Sequence, residues 1–247
     1  MNEFSGASVA IAGANVGVGP AVVKAFAAQG ARVVAGRLNV AGDPSHAELD
    51  GATRTVALDL LDRVSVAAFL DACAPIPGEP ASSLSTLILV PPPVTTQAAL
   101  DIGADVYRQT IDAELIGPIL CIQEAARRMQ AARKGGRIVS FVSMSGKTGV
   151  HRRVAPYAAA KGGLIAFSRV LAAELAPTSI TVNVIATALF DVQVAAMHDP
   201  AEAIKGIPVG RPGRAEEAAR AALYLASADA GYVTGETLNL SGGRFMD

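Results

Sequence analysis

Tyr157 and Lys161 are the residues of the sequence whose types and spacing point most directly to chemistry, in the run Tyr157-Ala-Ala-Ala-Lys161. Residues four apart on an α-helix share one face, so this spacing places the lysine ammonium near the tyrosine phenol. A neighbouring cation favours the phenolate and is expected to lower the pKa of Tyr157. Such a phenol could exchange a proton with a substrate near neutral pH. An amphipathic helix without chemistry can carry the same spacing, so the pair needs support from other residues.

A serine hydroxyl is expected beside this pair. Ser143 ends the apolar run Gly136-Arg-Ile-Val-Ser-Phe-Val-Ser143, which is typical of a buried strand. Its hydroxyl would project into the same cleft as Tyr157, where it could polarise a carbonyl group. Ser145 is a rival for the same role, although the strand pattern favours Ser143.

A glycine-rich turn follows the first apolar run, in the order Gly13-Ala-Asn-Val-Gly17-Val-Gly19. Glycine permits the unusual backbone angles and the close approach of the chain that a phosphate-binding turn requires. A helix that begins directly after the turn presents its N-terminus to a phosphate. The turn therefore indicates a nucleotide site, although a tight turn without a ligand would carry similar glycines.

The elements that must position these residues alternate along the chain. Short, nearly continuous apolar runs, typical of strands covered on both faces, alternate with longer Ala-rich helical stretches. Strands are predicted at 8–12, 31–35, 54–58, 86–90, 137–142, 180–185 and 237–240, and helices at 17–29, 62–73, 103–132, 156–176 and 214–227. The alternation predicts an α/β fold, a Rossmann-type doubly wound parallel sheet of about seven strands with helices on both faces.

Length and composition limit the class of protein. The chain has 247 residues, 51% of them hydrophobic, and its 21 basic and 22 acidic residues leave a net charge of −1. Such a chain can bury a large core, and it lacks the basic excess that nucleic-acid binding requires. We expect one domain over 1–247, no bound metal, no membrane span and, without a recognisable signal peptide, a cytoplasmic location.

The segment 187–210 interrupts the alternation after the sixth predicted strand. It contains Met197, His198 and a weakly helical stretch at 201–205. Ligands of open α/β sheets bind beyond the carboxyl ends of the strands, so we expect this segment to form a substrate lid. An ordinary surface excursion is the alternative.

Taken together and in this order, the motifs resemble those of the short-chain dehydrogenase/reductase family over essentially the full chain. The glycine spacing is similar to the family's nucleotide loop, Asp59 to its adenine-ring aspartate, and Ser143, Tyr157 and Lys161 to its catalytic residues. The resemblance implies that Tyr157 gives a proton to the substrate oxygen and that Ser143 hydrogen-bonds the carbonyl. It also implies that Lys161 binds the nicotinamide ribose and tunes Tyr157. Two C-terminal segments carry the resemblance further, at 208–217 and 235–243.

The same resemblance implies a nicotinamide cofactor, and Arg37 indicates which one. An acidic residue after the second strand would hold the ribose 2′-hydroxyl of NAD, whereas an arginine can pair with the 2′-phosphate of NADP. We therefore expect NADP rather than NAD, although Arg37 could also be a solvated charge at the strand end. The residues expected to contact the cofactor are Gly13, Asn15, Val16, Gly17, Val18, Gly19, Arg37, Asp59, Leu60, Pro91, Tyr157, Lys161 and Leu189.

The sequence departs from the family pattern at three places around the expected cleft. Val90-Pro-Pro-Pro93 replaces Asn-Asn-Ala-Gly, and prolines supply no backbone N–H. Glu114 stands where the family commonly has an asparagine that supports a water-mediated proton path to the lysine. It could pair with Lys161 and hold the water, act as a base itself, or point elsewhere. Ala186-Thr-Ala188 replaces a Pro-Gly turn beside the nicotinamide.

These residues and the resemblance lead us to expect an oxidoreductase that interconverts a ketone and a secondary alcohol. Similarity to 3-oxoacyl-carrier-protein reductases and polyketide-type ketoreductases implies a small carbonyl or alcohol substrate, which could be free or bound to a carrier protein. The basic run His151-Arg152-Arg153 could meet an acidic substrate or carrier protein, or it could be a solvated loop. The resemblance also implies a homo-oligomer, a dimer or, preferably, a tetramer, built through helices 103–132 and 156–176 together with the C-terminal strand region. The alternatives are a non-redox cyclase, dehydratase or epimerase of the same fold and a catalytically silent partner subunit.

Overall fold

A computed structural model of the chain describes residues 2–40, 49–74, 83–92, 94, 96–149, 151–195, 197 and 199–246. Within these residues, one parallel sheet has seven strands in the order β3-β2-β1-β4-β5-β6-β7. The strands are β1 (Ser8–Ala12), β2 (Arg32–Leu38), β3 (Arg54–Leu58), β4 (Leu84–Leu89), β5 (Gly136–Ser143), β6 (Ile180–Thr187) and β7 (Thr237–Leu240). The predicted Rossmann-type, doubly wound parallel sheet is confirmed.

Helices pack on both faces of this sheet. They are α1 (Gly19–Ala28), α2 (Arg63–Asp71), α3 (Ala104–Ile111), α4 (Gly117–Ala132), α5 (Met144–Thr148), α6 (Ala155–Leu175), α7 (Asp191–Val194), α8 (Pro200–Lys205) and α9 (Ala215–Ala226). Four of the five predicted helices end within two residues of these bounds, and the fifth, 103–132, is interrupted.

The interruption is a π-helical turn, Asp112–Ile116, between α3 and α4. Pro118, the second residue of α4, has no N–H, so it cannot give the carbonyl of Glu114 an α-helical hydrogen bond. Wider turns of this kind recur at functional sites because they re-aim a side chain. Here the turn carries Glu114, which is buried.

Two apolar cores lie on the two faces of the sheet. Strand residues alternate between them, so that Ile138 joins the core beneath α2, α4 and α6, while Val139 joins the core beneath α1 and α9. Because both faces are covered, the strands read as continuous apolar runs, and all five residues of β1 are buried.

Two strands, β2 and β6, continue past their predicted carboxyl ends by more than one residue, and both extensions concern the expected site. β2 continues to Leu38 because it pairs with β3 as far as Leu38 opposite Leu58, so Arg37 lies within the strand and not after it. β6 continues to Thr187, which pairs with Ser143 on one side and Leu240 on the other. The polar residues that follow the strands therefore gather at one edge of the sheet.

The segment after β6 contains two short helices, α7 and α8, where only 201–205 was predicted to be weakly helical. It is tied back to the body by a bridge between Phe190 and Gly213 and by a hydrogen bond from the Val209 N–H to the Gly242 carbonyl. Its predicted role as a lid stays a prediction. In the described part of the chain, no helix has both the length and the apolar character needed to cross a membrane.

Candidate active site

Tyr157 and Lys161 are buried on one face of α6, with exposed fractions of 8% and 1%. The Nζ atom of Lys161 lies 5.4 Å from the centre of the Tyr157 ring. The same Nζ lies 2.8 Å from the Oε2 atom of Glu114 and 3.4 Å from the Glu114 carbonyl oxygen. Of the three possibilities for Glu114, the structure therefore shows the pairing with Lys161.

The contact between Glu114 and Lys161 is a buried ion pair, with 2.8 Å between Oε2 and Nζ. The π-helical turn accounts for both contacts. It directs the carboxylate at the ammonium, and Pro118 leaves the Glu114 carbonyl open to the same group. The two charges balance one another in a site that excludes most water.

The electrostatics of Tyr157 differ from the expectation. Burial of the phenol, and second the negative charge of Glu114, raise the pKa of Tyr157 well above its usual value. The predicted lowering by Lys161 is therefore wrong for this structure, because burial of the phenol, and second the charge of Glu114, act in the opposite direction. Burial lowers the pKa of Lys161, and Glu114 opposes that change. Tyr157 consequently holds its proton at neutral pH, as a proton donor must.

Ser143 ends β5 and caps the N-terminus of α5. Its Oγ accepts a hydrogen bond of 3.1 Å from the backbone N–H of Ser145, and the two hydroxyl oxygens lie 3.0 Å apart. The rival serines are therefore neighbours. A Cβ on Gly146 would lie 2.6 Å from the Lys161 Cβ, so only glycine lets α5 pack this closely on α6. That contact holds the serine turn against the helix of Tyr157 and Lys161.

The glycine-rich turn between β1 and α1 combines two tight positions with one open position. A Cβ on Gly13, whose φ is +78°, would lie 2.0 Å from the Val90 carbonyl oxygen, and one on Gly19 would lie 2.3 Å from the Gly13 oxygen. Gly17, at φ +51°, has no atom within 4 Å of its Cβ position. The turn is thus closed by two glycines and leaves a cradle at the third, beside the positive end of α1.

The remaining residues of the turn have structural contacts of their own. The Asn15 side chain donates to the Leu38 carbonyl and accepts from the Leu38 N–H, both at 2.9 Å, which fixes the turn to the end of β2. Val16 and Val18 are buried in the core beneath α1. The side chains of these two valines are therefore not available to a ligand.

A cavity of about 850 Å³ lies beyond the ends of β2 and β3, and Arg37, Asp59, Leu60 and Pro92 are among its lining residues. Asp59 also stabilises the turn after β3, because its Oδ1 accepts a hydrogen bond of 2.9 Å from the Leu61 N–H. With the cradle over Gly17, this cavity has the size and chemistry for a dinucleotide. The residues present therefore fit a nicotinamide cofactor.

Some expected contacts are not brought to this cavity. Pro92 lines it, and Pro91 is not among the residues that do; Pro93 lies outside the described residues. Leu189 lines a separate cavity of about 220 Å³ with Phe190 and Gly242. No three His, Cys, Asp or Glu side chains in the described ranges are grouped to hold a metal, and His46 and His198 lie outside those ranges.

A second cavity, of about 280 Å³, is lined by Tyr157 and Glu114 as well. Its walls include Gln97, Gln109 and Arg153. The signal in the sequence was the basic run 151–153, whose placement beside Tyr157 needed the tertiary structure.

Comparison with known proteins agrees with this geometry. A family model described as enoyl-(acyl carrier protein) reductase matches residues 12–244. The chain is 31% identical over 248 residues to the 3-oxoacyl-[acyl-carrier-protein] reductase FabG of Escherichia coli (strain K12), covering 99% of both chains. It is 28% identical over 259 residues to sorbitol dehydrogenase of Cereibacter sphaeroides, again over 99% of both.

A solved structure shows the same architecture. It is a short-chain type dehydrogenase/reductase from Mycobacterium marinum, with a TM-score of 0.86 and 28% identity, covering 100% of this chain and 98% of the other. Because the family match spans most of the residues and these relatives align over nearly the whole length, the chain belongs to the short-chain dehydrogenase/reductase family of oxidoreductases.

Proposed function

We propose that the protein catalyses the interconversion of a ketone and a secondary alcohol, with Tyr157 as the proton donor and acceptor. The observation that carries the proposal is the buried Tyr157 next to the Lys161–Glu114 ion pair, at a cavity that opens beside the phenol. The relatives named above include a reductase of 3-oxoacyl groups and a polyol dehydrogenase, which are both carbonyl–alcohol enzymes by name.

We propose NADP as the cofactor, with NAD the weaker ligand. Arg37 lines the large cavity together with Asp59, so a guanidinium stands in the wall of the cavity proposed to hold the adenosine, and an arginine can pair with a 2′-phosphate. The turn residues Gly13, Gly17 and Gly19 would hold the pyrophosphate against the N-terminus of α1.

In the direction of reduction, this chain's residues supply the proton and the orientation. The cofactor, when bound, supplies the hydride to the carbonyl carbon. Ser143 donates a hydrogen bond to the carbonyl oxygen, and Tyr157 passes its phenolic proton to that oxygen as the alcohol forms. The Lys161 ammonium has three N–H donors, and the contacts with Glu114 do not use all of them. Lys161 can therefore also hydrogen-bond a ribose hydroxyl.

Four further properties belong to the same proposal. We propose a single catalytic domain whose segment 187–210 covers the substrate, because α7 and α8 follow the carboxyl end of β6. We also propose a homo-oligomer built through α4 and α6, and a small carbonyl substrate that could be presented by a carrier protein. The cytoplasmic location predicted from the sequence stays a prediction.

The test is the substitution Tyr157→Phe, which removes the proton donor and keeps the ring in the core. We expect kcat for ketone reduction to fall by about 10²–10⁴-fold, while NADPH affinity and the melting temperature change little. Tyr224→Phe is the matched control, since Tyr224 is 49% exposed on α9 and far from the site. Fluorescence titration with NADPH and NADH measures binding, and initial rates over a panel of ketones measure turnover.

Full activity in Tyr157→Phe would contradict the mechanism. Absence of binding of both nucleotides by the unsubstituted protein would favour the silent-subunit interpretation. Nucleotide binding without reduction of any ketone would favour a non-redox member of the family.

A further inference from the structure

The cavity of about 280 Å³ beside Tyr157 has walls from four parts of the chain. These are residues 94, 96, 97 and 102, helix α3, the π-helical turn and the start of α6, with Arg153 at the rim. It lies at the lower end of the volumes that small-molecule sites have, so its occupant is small. Because Tyr157 lines it, a molecule bound there has its reacting group within reach of the phenol.

The charged side chains that line this cavity differ in whether a neighbouring residue balances their charge. Two full charges stand among the described residues that line it, Glu114 and Arg153. Glu114 is balanced by Lys161 at 2.8 Å. Within the described part of the chain, no carboxylate lies within 4 Å of the Arg153 guanidinium, which is exposed. The cavity therefore presents a cation whose charge a ligand can balance.

Neighbouring groups add to this positive potential. Arg152 directly precedes Arg153 in the chain. Burial, and second the charge of Arg244, lower the pKa of the His151 imidazole. Basic residues thus neighbour Arg153 in the chain and His151 in space, although the protein as a whole carries a net charge of −1.

The backbone conformation of Arg153 is unfavourable for an arginine, which indicates a functional role for its side chain. Its φ is +65°, in the left-handed region where glycine or asparagine is the comfortable choice. Its carbonyl accepts a hydrogen bond of 2.8 Å from the Gln97 N–H, which joins the two loops that form the rim. A glycine would build the same turn with less strain, but it would supply no cation.

We propose that this cavity binds a small oxo acid, or the corresponding hydroxy acid, whose carboxylate pairs with Arg153 while its carbonyl or hydroxyl group meets Tyr157. The polar groups of Gln109 and Thr96 on the same walls suit such a hydrophilic molecule better than a long acyl chain. A guanidinium binds a carboxylate in a two-pronged, charge-assisted contact. This inference rests on the proposed function, and it names the substrate class of that same site.

The test compares acids with neutral esters of the same shape. Initial rates would be measured with the cofactor-loaded enzyme for 2-oxopentanoate, 3-oxopentanoate and 4-oxopentanoate, each against its methyl ester. A 3-oxopentanoyl thioester of N-acetylcysteamine represents a neutral carrier-bound substrate. We expect at least one acid to exceed its ester by about tenfold in kcat/KM, the size of one charge-assisted hydrogen bond at a solvated rim.

The informative variant is Arg153→Gly, because it removes the cation and relieves the backbone. Its melting temperature should be unchanged or higher, while kcat/KM for the acid falls until the ratio of acid to ester is about one. Arg153→Gln should behave alike, and Arg152→Gln, next in the chain, should keep the preference.

Equal use of acids and esters, better use of the thioester, or an acid preference that survives Arg153→Gly would each overturn the proposal. Isothermal titration of the same compounds into the cofactor-loaded protein gives a second readout that needs no turnover. Carboxylate binding that depends on Arg153, with no ketone reduced, would support this inference and remove the proposed function. Reduction of neutral ketones without any carboxylate preference would do the reverse.

Discussion

At the scale of single residues, Glu114 contributes to the raised pKa of Tyr157, the proposed proton donor. Its carboxylate neutralises Lys161 and adds to the burial that raises the pKa of Tyr157. An asparagine in its place would leave the ammonium uncompensated beside the phenol. The carboxylate therefore favours the protonated phenol.

Glu114→Gln should shift the pH dependence of both directions. Reduction needs the protonated phenol and is lost as the pH rises through the pKa of Tyr157, so removing one cause of the raised pKa moves this loss to lower pH. Alcohol oxidation needs the phenolate, so its rise with pH also begins lower. Initial rates measured against pH report both effects. Arg153, which lines the same cavity, is the same in Glu114→Gln and in the unsubstituted protein.

The same variant leaves a buried lysine without its partner, which is expected to destabilise the fold by about 3–5 kcal/mol. Denaturant unfolding measures this loss. Asp112→Asn, in the same π-helical turn but exposed, is the control for both experiments. Unchanged pH profiles in Glu114→Gln would show that the carboxylate does not act on Tyr157.

At the scale of elements, the turn between β1 and α1 separates folding from binding. Gly13 and Gly19 are required by the close approach of backbone oxygens, whereas Gly17 faces open space. Gly13 and Gly19 are thus needed for the local structure, whereas Gly17 leaves space for the proposed cofactor. The helix that follows is short, with ten residues, and its direction is set by this turn.

Gly17→Ala should keep the fold but weaken the cofactor. The left-handed backbone costs an alanine about 1–2 kcal/mol, and the added methyl group fills the cradle, so we expect NADPH affinity to fall at least about tenfold. Gly13→Ala should lower the melting temperature more, since its Cβ would meet the Val90 oxygen at 2.0 Å. Nucleotide titration and thermal unfolding measure the two effects.

The control for the turn variants is Gly103→Ala, where φ is −72° and no atom lies within 4 Å of the Cβ position. It should change neither property. If Gly17→Ala bound NADPH as tightly as the unsubstituted protein, the cradle would not be the phosphate site.

At the scale of the whole molecule, the unused surfaces of the long helices indicate assembly. α6 packs one side on the sheet through Leu164, Ala172 and Leu175, while Val170 on the other side is 60% exposed. Burying such a side chain in a partner is favourable, and its exposure on a helix of 21 residues fits the proposed interface.

Val170→Asp should therefore reduce the mass of the assembly measured by light scattering after gel filtration. A buried, unpaired carboxylate in an apolar interface is strongly unfavourable. Val64→Asp is the control, since Val64 is 76% exposed on α2 outside the proposed interface. A mass that is the same for Val170→Asp and the unsubstituted protein would place the interface elsewhere or remove it.

The sequence by itself determined the features that depend on neighbours along the chain. The apolar runs predicted each strand because both sheet faces are covered, and the glycine turn was recognised from its spacing. The Tyr157–Lys161 pair was predicted on one helix face because helical periodicity is local.

Only the tertiary structure decided features that depend on contacts between distant segments. Pairing with β3 drew Arg37 into a strand, and the π-helical turn brought Glu114 to Lys161. Burial of the phenol, and second the charge of Glu114, raise the pKa of Tyr157 where the sequence had predicted a lowering. Arg153 became a candidate substrate residue because folding placed a loop beside α3. Electrostatics and cavities arise from distances in space, and a one-dimensional pattern does not contain them.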